Sequence, residues 1–165
     1  MSDAVEVRAA GIEDLPAAAR LAAALVRQHH AYDPLRFMSF EPLEDGYERF
    51  FRSQIDREGV ALLVAVHPVS RGAHVVGYVF GTLEDCDWSD LRDACGKIHD
   101  VYVDASVRRC GVATQLVEAA VAALGAMGAP RVVLMAAWQN DDARALFARL
   151  GFRPTMVEMT RETDR

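Results

Sequence analysis

The sequence predicts an α/β (α+β) fold: a mixed sheet with helices on both faces. Three observations carry this. Strand-like segments alternate with segments of helical period, two successive strand-like runs are joined by a short Pro-to-Gly turn, and the later strands are each followed by a helix. The order is β, α, α, β, β, β, α, β, α, β, so a hairpin feeds a central strand and two strand–helix crossovers follow.

Ala4–Ala9 alternates as a strand, with Val5 and Val7 on one face. A helix follows from about Asp14 to His29, where Asp14 suits the N-cap and Pro16 the first turn. Its apolar stripe is Leu15, Ala18, Leu21, Ala22 and Leu25. The Asp33-Pro34 step breaks the pattern, because a residue before proline resists the helical region. Leu43–Arg57 is a second helix carrying Tyr47, Phe50, Phe51 and Ile55. Val60–Val66 and His74–Leu83 are hairpin strands about a turn at Pro68–Gly72. An acidic loop, Glu84 to Asp90, leads to the strand Lys97–Val103. Val112–Met127 is an amphipathic helix, Arg131–Ala136 a buried-type strand, Asp141–Leu150 a short helix ended by Gly151, and Phe152–Thr160 a last strand.

The 165 residues fit one domain, 1–165, with 52% apolar and 25% charged residues. No apolar run approaches the roughly 20 residues that cross a bilayer, so no membrane partner is expected. The acidic start, Met-Ser-Asp-Ala-Val-Glu, lacks the apolar core of a secretion signal. A net charge of −6 argues against nonspecific nucleic-acid binding. Three cysteines, Cys86, Cys95 and Cys110, are an odd number, and reduced thiols in a cytoplasmic protein are the expectation. Cys86, Cys95 and His99 match no common zinc spacing, so no metal is expected.

The chemistry-bearing stretch is Arg108-Arg109-Cys110-Gly111-Val112-Ala113-Thr114, between a strand and a helix. A helix start leaves backbone N–H groups unpaired, small residues let an anion approach, and arginines add charge. The stretch lacks the Gly-Lys-Ser/Thr of a Walker loop and the glycines of a dinucleotide fingerprint. Taken alone, it reads equally as a phosphate cradle or as a tight turn with solvated arginines.

The wider context decides between them. "KIHDVYVDASVRRCGVA" resembles the acetyl-CoA loop of the GNAT superfamily of N-acetyltransferases, with Arg108, Gly111 and Ala113 at the motif positions. "WQNDDARALFARLGF" is similar to the family's second segment, and "GIEDLPAAARL" to its opening. The resemblance spans essentially the whole chain and implies a mostly antiparallel mixed sheet. It implies acetyl-CoA as cosubstrate and acetyl transfer to a primary amine by direct attack. It also implies cofactor contacts from the backbone of Val101 and Val103, from the loop Arg108, Arg109, Cys110, Gly111, Val112, Ala113 and Thr114, and from Asn140 and Phe147. Many relatives are dimers, so a homodimer is part of the expectation. Arg109 stands where the family often has Gly, and Cys110 where it is usually polar or basic. Phe147 stands where many members have a Tyr that protonates the leaving thiolate. That departure leaves open a second function, an acyl-CoA-binding sensor or interaction module without turnover.

An attacking ammonium must first lose a proton. Without a bulge, residues 97, 99, 101 and 103 share one face of their strand, which sets His99 with Val101 and turns Asp100 away. His99 is the favoured base because its pKa lies near physiological pH. Asp100 and Glu84 are alternatives, and a bulge would exchange the roles of His99 and Asp100. The substrate wall is expected from His29, His30, Tyr32, Asp33 and Phe37 after the first helix, and from Trp88 in the acidic loop. The acidic loop, Glu84 to Asp90, suits a cationic amine.

Overall fold

Alternation and period translate into a five-stranded sheet in the order β1-β2-β3-β4-β5, made of β1 (Glu6–Ala9), β2 (Val60–Val69), β3 (Gly72–Glu84), β4 (Cys95–Val103) and β5 (Val132–Leu134). The structure is a computed structural model and describes residues 5–69 and 72–163. Ala4 of the expected first strand, and Ser70 and Arg71 of the expected turn, lie outside the described residues. The first three strand pairs are antiparallel and β4–β5 is parallel. The sheet is therefore mixed and mostly antiparallel, as expected.

Helices cover both faces. α1 (Leu15–Tyr32) and α2 (Leu43–Gln54) lie on one side, where Leu15, Ala18, Phe51, Val64, Tyr78 and Phe80 form a core. α3 (Val112–Ala126) lies on the other, where Leu116, Val117, Ala120 and Leu124 pack on Ala65, Val79 and Ile98. α4 (Asp141–Arg149) adds Phe147 to that second core. Glycines let α3 approach the sheet. A Cβ on Gly96 would stand 2.9 Å from Leu124 Cβ, and one on Gly77 2.9 Å from Leu116 Cδ1. No helix among the described residues is long and apolar enough to cross a membrane.

Several local expectations are corrected. Asp14 precedes α1 but does not cap it with its side chain. Its carboxylate is already occupied by Arg8 at 2.6 and 3.0 Å and by the Gly11 N–H at 2.8 Å. Helix α1 runs past His29 to Tyr32, whereas α2 stops at Gln54. Pro68 pairs with Ala73 inside the hairpin strands rather than forming their turn. The expected strand over 152–160 does not form, and residues 153–160 are exposed throughout. Alternation stabilises a strand only when one face is buried, and this segment buries neither.

Candidate active site

Strand β4 sets the site through a break in its own pairing. Phe80 of β3 pairs with Asp100, but the next residue, Gly81, pairs with Ile98. His99 is the extra residue of a β-bulge, and the alternation resets there. Ile98 and Val101 pack toward α3. His99 stacks on Phe80 with ring centroids 5.3 Å apart, and Asp100 accepts a hydrogen bond from Tyr78. His99 and Asp100 thus both face α1 and α2. The expectation that His99 shares a face with Val101 fails because the bulge adds one residue to the count.

The same point ends the β4–β5 pairing. Gly96, Lys97 and Ile98 pair with Val132, Val133 and Leu134, and the parallel ladder stops there. From the bulge to Val103, β4 keeps β3 on one side and lacks a strand on the other. The Val103 carbonyl on that open side accepts a hydrogen bond from Arg108 Nε at 3.1 Å.

Beyond β4 the chain turns into α3 through two left-handed residues, Arg109 at φ 64° and Gly111 at φ 79°. Glycine adopts that region at little cost, and arginine does not. No side chain caps the helix at Gly111. The N–H groups of Val112, Ala113 and Thr114 therefore point out of the helix start without intrahelical partners. A Cβ on Gly111 would meet nothing within 4 Å, so the approach to these donors is open. Arg109 and Cys110 are exposed beside them. Arg108 folds back instead, over the Tyr102 ring at 5.2 Å and toward Gln28 Oε1 at 3.4 Å. Asn140 begins α4, with its Oδ1 accepting from the Ala143 N–H at 3.1 Å. Phe147 is buried and meets the Phe152 ring edge-on at 5.9 Å.

The titratable groups fall into two sets. Thr82 Oγ1 lies 2.6 Å from Glu84 Oε1 and 2.8 Å from His99 Nε2, with Glu84 Oε1 3.3 Å from the same nitrogen. The Thr82 hydroxyl holds the Glu84 carboxyl below its ordinary value, against the effect of burial. Burial, and then Lys97, holds His99 below the usual imidazole value, while Glu84 pulls it up. In the second set, Tyr78 donates to Asp100 Oδ2 at 3.3 Å. Burial raises Asp100 above its ordinary value, opposed by the Tyr78 bond and by His29. Tyr47 is pushed up to about 12 by burial and then by Asp100.

Of the expected substrate wall, His29, Tyr32 and Phe37 come together. The His29 ring meets Tyr32 at 5.9 Å and Phe37 at 5.0 Å, and its Nδ1–H donates to the Leu25 carbonyl. Trp88 does not join them and is 86% exposed. Two contributors escaped the sequence reading, Thr82 and Tyr78. Strand period offered a signal for Thr82, two residues before Glu84 on the same face. The β3–β4 register that sets it beside His99 was not readable. Among the described residues, no cluster of three or more His, Cys, Asp or Glu side chains is placed to hold a metal.

An open strand edge beside an uncapped helix start fits an elongated ligand with an anionic end. The family comparison agrees in kind: the model of the Acetyltransferase (GNAT) family matches residues 25–152. The chain belongs to the GNAT acetyltransferase family. A single-residue mutant of the BH1408 protein from Bacillus halodurans superposes with a TM-score of 0.80 at 22% identity, over 96% of this chain and 99% of that one. Glucosamine-6-phosphate N-acetyltransferase from Arabidopsis thaliana gives 0.67 at 16% identity, over 98% and 99%. An aminoglycoside 6'-N-acetyltransferase from Acinetobacter haemolyticus gives 0.66 at 17%, over 96% and 99%. At such identities the likeness is one of fold. No curated protein sequence matches the chain.

Proposed function

We propose that this protein is a cytoplasmic N-acetyltransferase that moves an acetyl group from acetyl-CoA to a cationic primary amine by direct attack. The observation that carries the reading is the coincidence at His99: the β-bulge, the end of the β4–β5 ladder and a titratable side chain occur at one position. Fold relatives whose names specify amine substrates, glucosamine-6-phosphate and aminoglycosides, support the chemistry.

The open edge of β4 at Val101 and Val103 offers the hydrogen bonds that an added strand would use, and a pantetheine arm can use them in the same way. The N–H groups at the start of α3, with Arg109 beside them, suit the pyrophosphate. Asn140 keeps its carboxamide N–H donors for the arm. Acetyl-CoA, when bound, supplies a thioester carbon for the amine to attack. His99 takes one proton from the incoming ammonium. The C–N bond then forms as the C–S bond breaks, and the second nitrogen proton leaves to water or to the departing thiolate. Phe147 has no proton to donate, so no acid from α4 assists that departure. A panel of cationic amines, assayed by thiol release, tests this reading. Acetyl-CoA-dependent release that His99→Ala reduces at least about 100-fold supports it, because general bases typically contribute 10²–10⁴.

Phe147 favours a second reading, a module that binds acyl-CoA without turnover. Tight CoA binding with no release from any amine, unchanged by His99→Ala, would select that reading.

A further inference from the structure

We propose that Thr82 is a positioning residue that fixes the tautomer of His99, making Nδ1 the nitrogen that accepts the proton. Using that nitrogen in catalysis rests on the acetyltransferase reading above. The tautomer itself does not.

The donors and acceptors around His99 Nε2 require this tautomer. An ionised carboxylate can only accept, so the short contact between Thr82 Oγ1 and Glu84 Oε1, at 2.6 Å, requires the hydroxyl proton to point at Glu84. The Glu84 carboxyl stays ionised at neutral pH because the Thr82 hydroxyl and the cations nearby favour its charge. With its proton committed, Thr82 Oγ1 has only lone pairs left for His99 Nε2 at 2.8 Å. Nε2 must therefore carry a hydrogen. Glu84 Oε1, 3.3 Å from the same nitrogen, also accepts and cannot reverse the assignment. In a neutral imidazole the other nitrogen is then bare. Among the described residues Nδ1 has no hydrogen-bond partner, whereas Nε2 has two neighbours.

Nδ1 is bonded to Cγ and so lies on the ring edge nearer the backbone. It therefore sits close to the bulge where the β4 edge opens. Stacking on Phe80 holds the ring plane, and Thr82 holds its rotation. The charged and titratable groups around this set are Glu84 on β3, Arg92 in the loop before β4, Lys97 and Asp100 on β4, and beyond Asp100 Tyr78, Tyr47 and His29. Lys97 disfavours the imidazolium and Glu84 favours it. When Nδ1 takes a proton, Nε2 keeps its bond to Thr82, and Glu84 stabilises the new charge with no second proton moved.

The test is a histidine-labelled NMR experiment that reads the two ring nitrogens of His99 at pH 7.5, without CoA or amine. The wild type is expected to show a protonated Nε2 and a bare Nδ1. Thr82→Val, close to isosteric and well suited to a strand, is expected to mix the tautomers and to move the His99 titration to lower pH, while Thr82→Ser restores the wild-type pattern. If an amine substrate is in hand, Thr82→Val is expected to lower kcat about tenfold and leave KM for acetyl-CoA unchanged, with Thr82→Ser recovering the rate. A wild-type spectrum with Nδ1 protonated and Nε2 bare overturns the assignment. A Thr82→Val protein whose His99 signals match the wild type overturns the positioning role of Thr82. Silence of every amine with the expected spectrum would count against the transferase reading and leave the tautomer standing.

Discussion

Ile98 of β4 and Leu134 of β5 are the last partners of the sheet's parallel pair, and the very next residue, His99, is the bulged one. One residue thus closes the ladder and opens the edge. Each neighbouring feature of the site follows from that position: Val101 toward α3, Asp100 toward Tyr78, and the Val103 carbonyl toward Arg108.

If the α3 start cradles pyrophosphate, Gly111 matters for access more than for packing. Gly111→Ala forces a left-handed alanine at φ 79° at the residue whose backbone sets the direction of the N–H donors. The stability loss should be about 1 kcal/mol. CoA affinity should fall at least about tenfold, equivalent to about 1.4 kcal/mol. Calorimetric titration beside a melting curve separates the two effects.

The two arginines should behave differently. Arg108 binds the Val103 carbonyl and covers Tyr102, so Arg108→Ala should lower the melting temperature by a few degrees, reflecting about 1 kcal/mol. Arg109 is exposed and precedes the helix start by two residues. Arg109→Ala should weaken CoA binding and make it less sensitive to salt, with little change in melting.

Arg8 and Asp14 carry an acid-sensitive part of the stability. Burial alone would raise the Asp14 pKa, but the Arg8 and Gly11 bonds outweigh it, and the folded value lies below the ordinary one. The folded state therefore gains stability above the unfolded pKa, near 4, and loses it as pH falls through the lower folded value. Arg8→Ala leaves a buried carboxylate without its cation. The cost should be about 2 kcal/mol at pH 7, below fully buried pairs because the Arg8 side chain is 34% exposed. Melting scans from pH 7 to pH 2 should show the wild-type advantage vanishing below pH 4.

Asp100 has the opposite sign. Burial raises its folded pKa, so the group favours the folded state at low pH and this contribution is lost as pH climbs from the unfolded value through the folded one. Asp100→Asn should therefore raise the melting temperature at pH 7 by a few degrees and leave it unchanged at pH 3. A melting-temperature difference that stays constant across that range would show that desolvation does not govern this carboxyl.

The helix start at Gly111 was legible because small residues and arginines are local signals, and the left-handed turn there is a local event. The bulge was not. It arises from how β3 and β4 align across a ten-residue excursion from Asp85 to Ala94, and strand alternation cannot reveal an extra residue in one partner. Thr82 was missed for the same reason. Asp14 was misread as a cap because its true partner, Arg8, sits on a different element. The last strand was overread, since alternation in 152–160 has no buried face to make it matter.

The most direct test follows the backbone amides of 15N-labelled protein during titration with CoA. If the open β4 edge and the α3 start form one binding cleft, the amides of Val101, Val103 and Gly111 through Thr114 should shift together with a single dissociation constant. Saturable binding that leaves Val101 and Val103 unmoved, or shifts confined to α1 and α2, would contradict it.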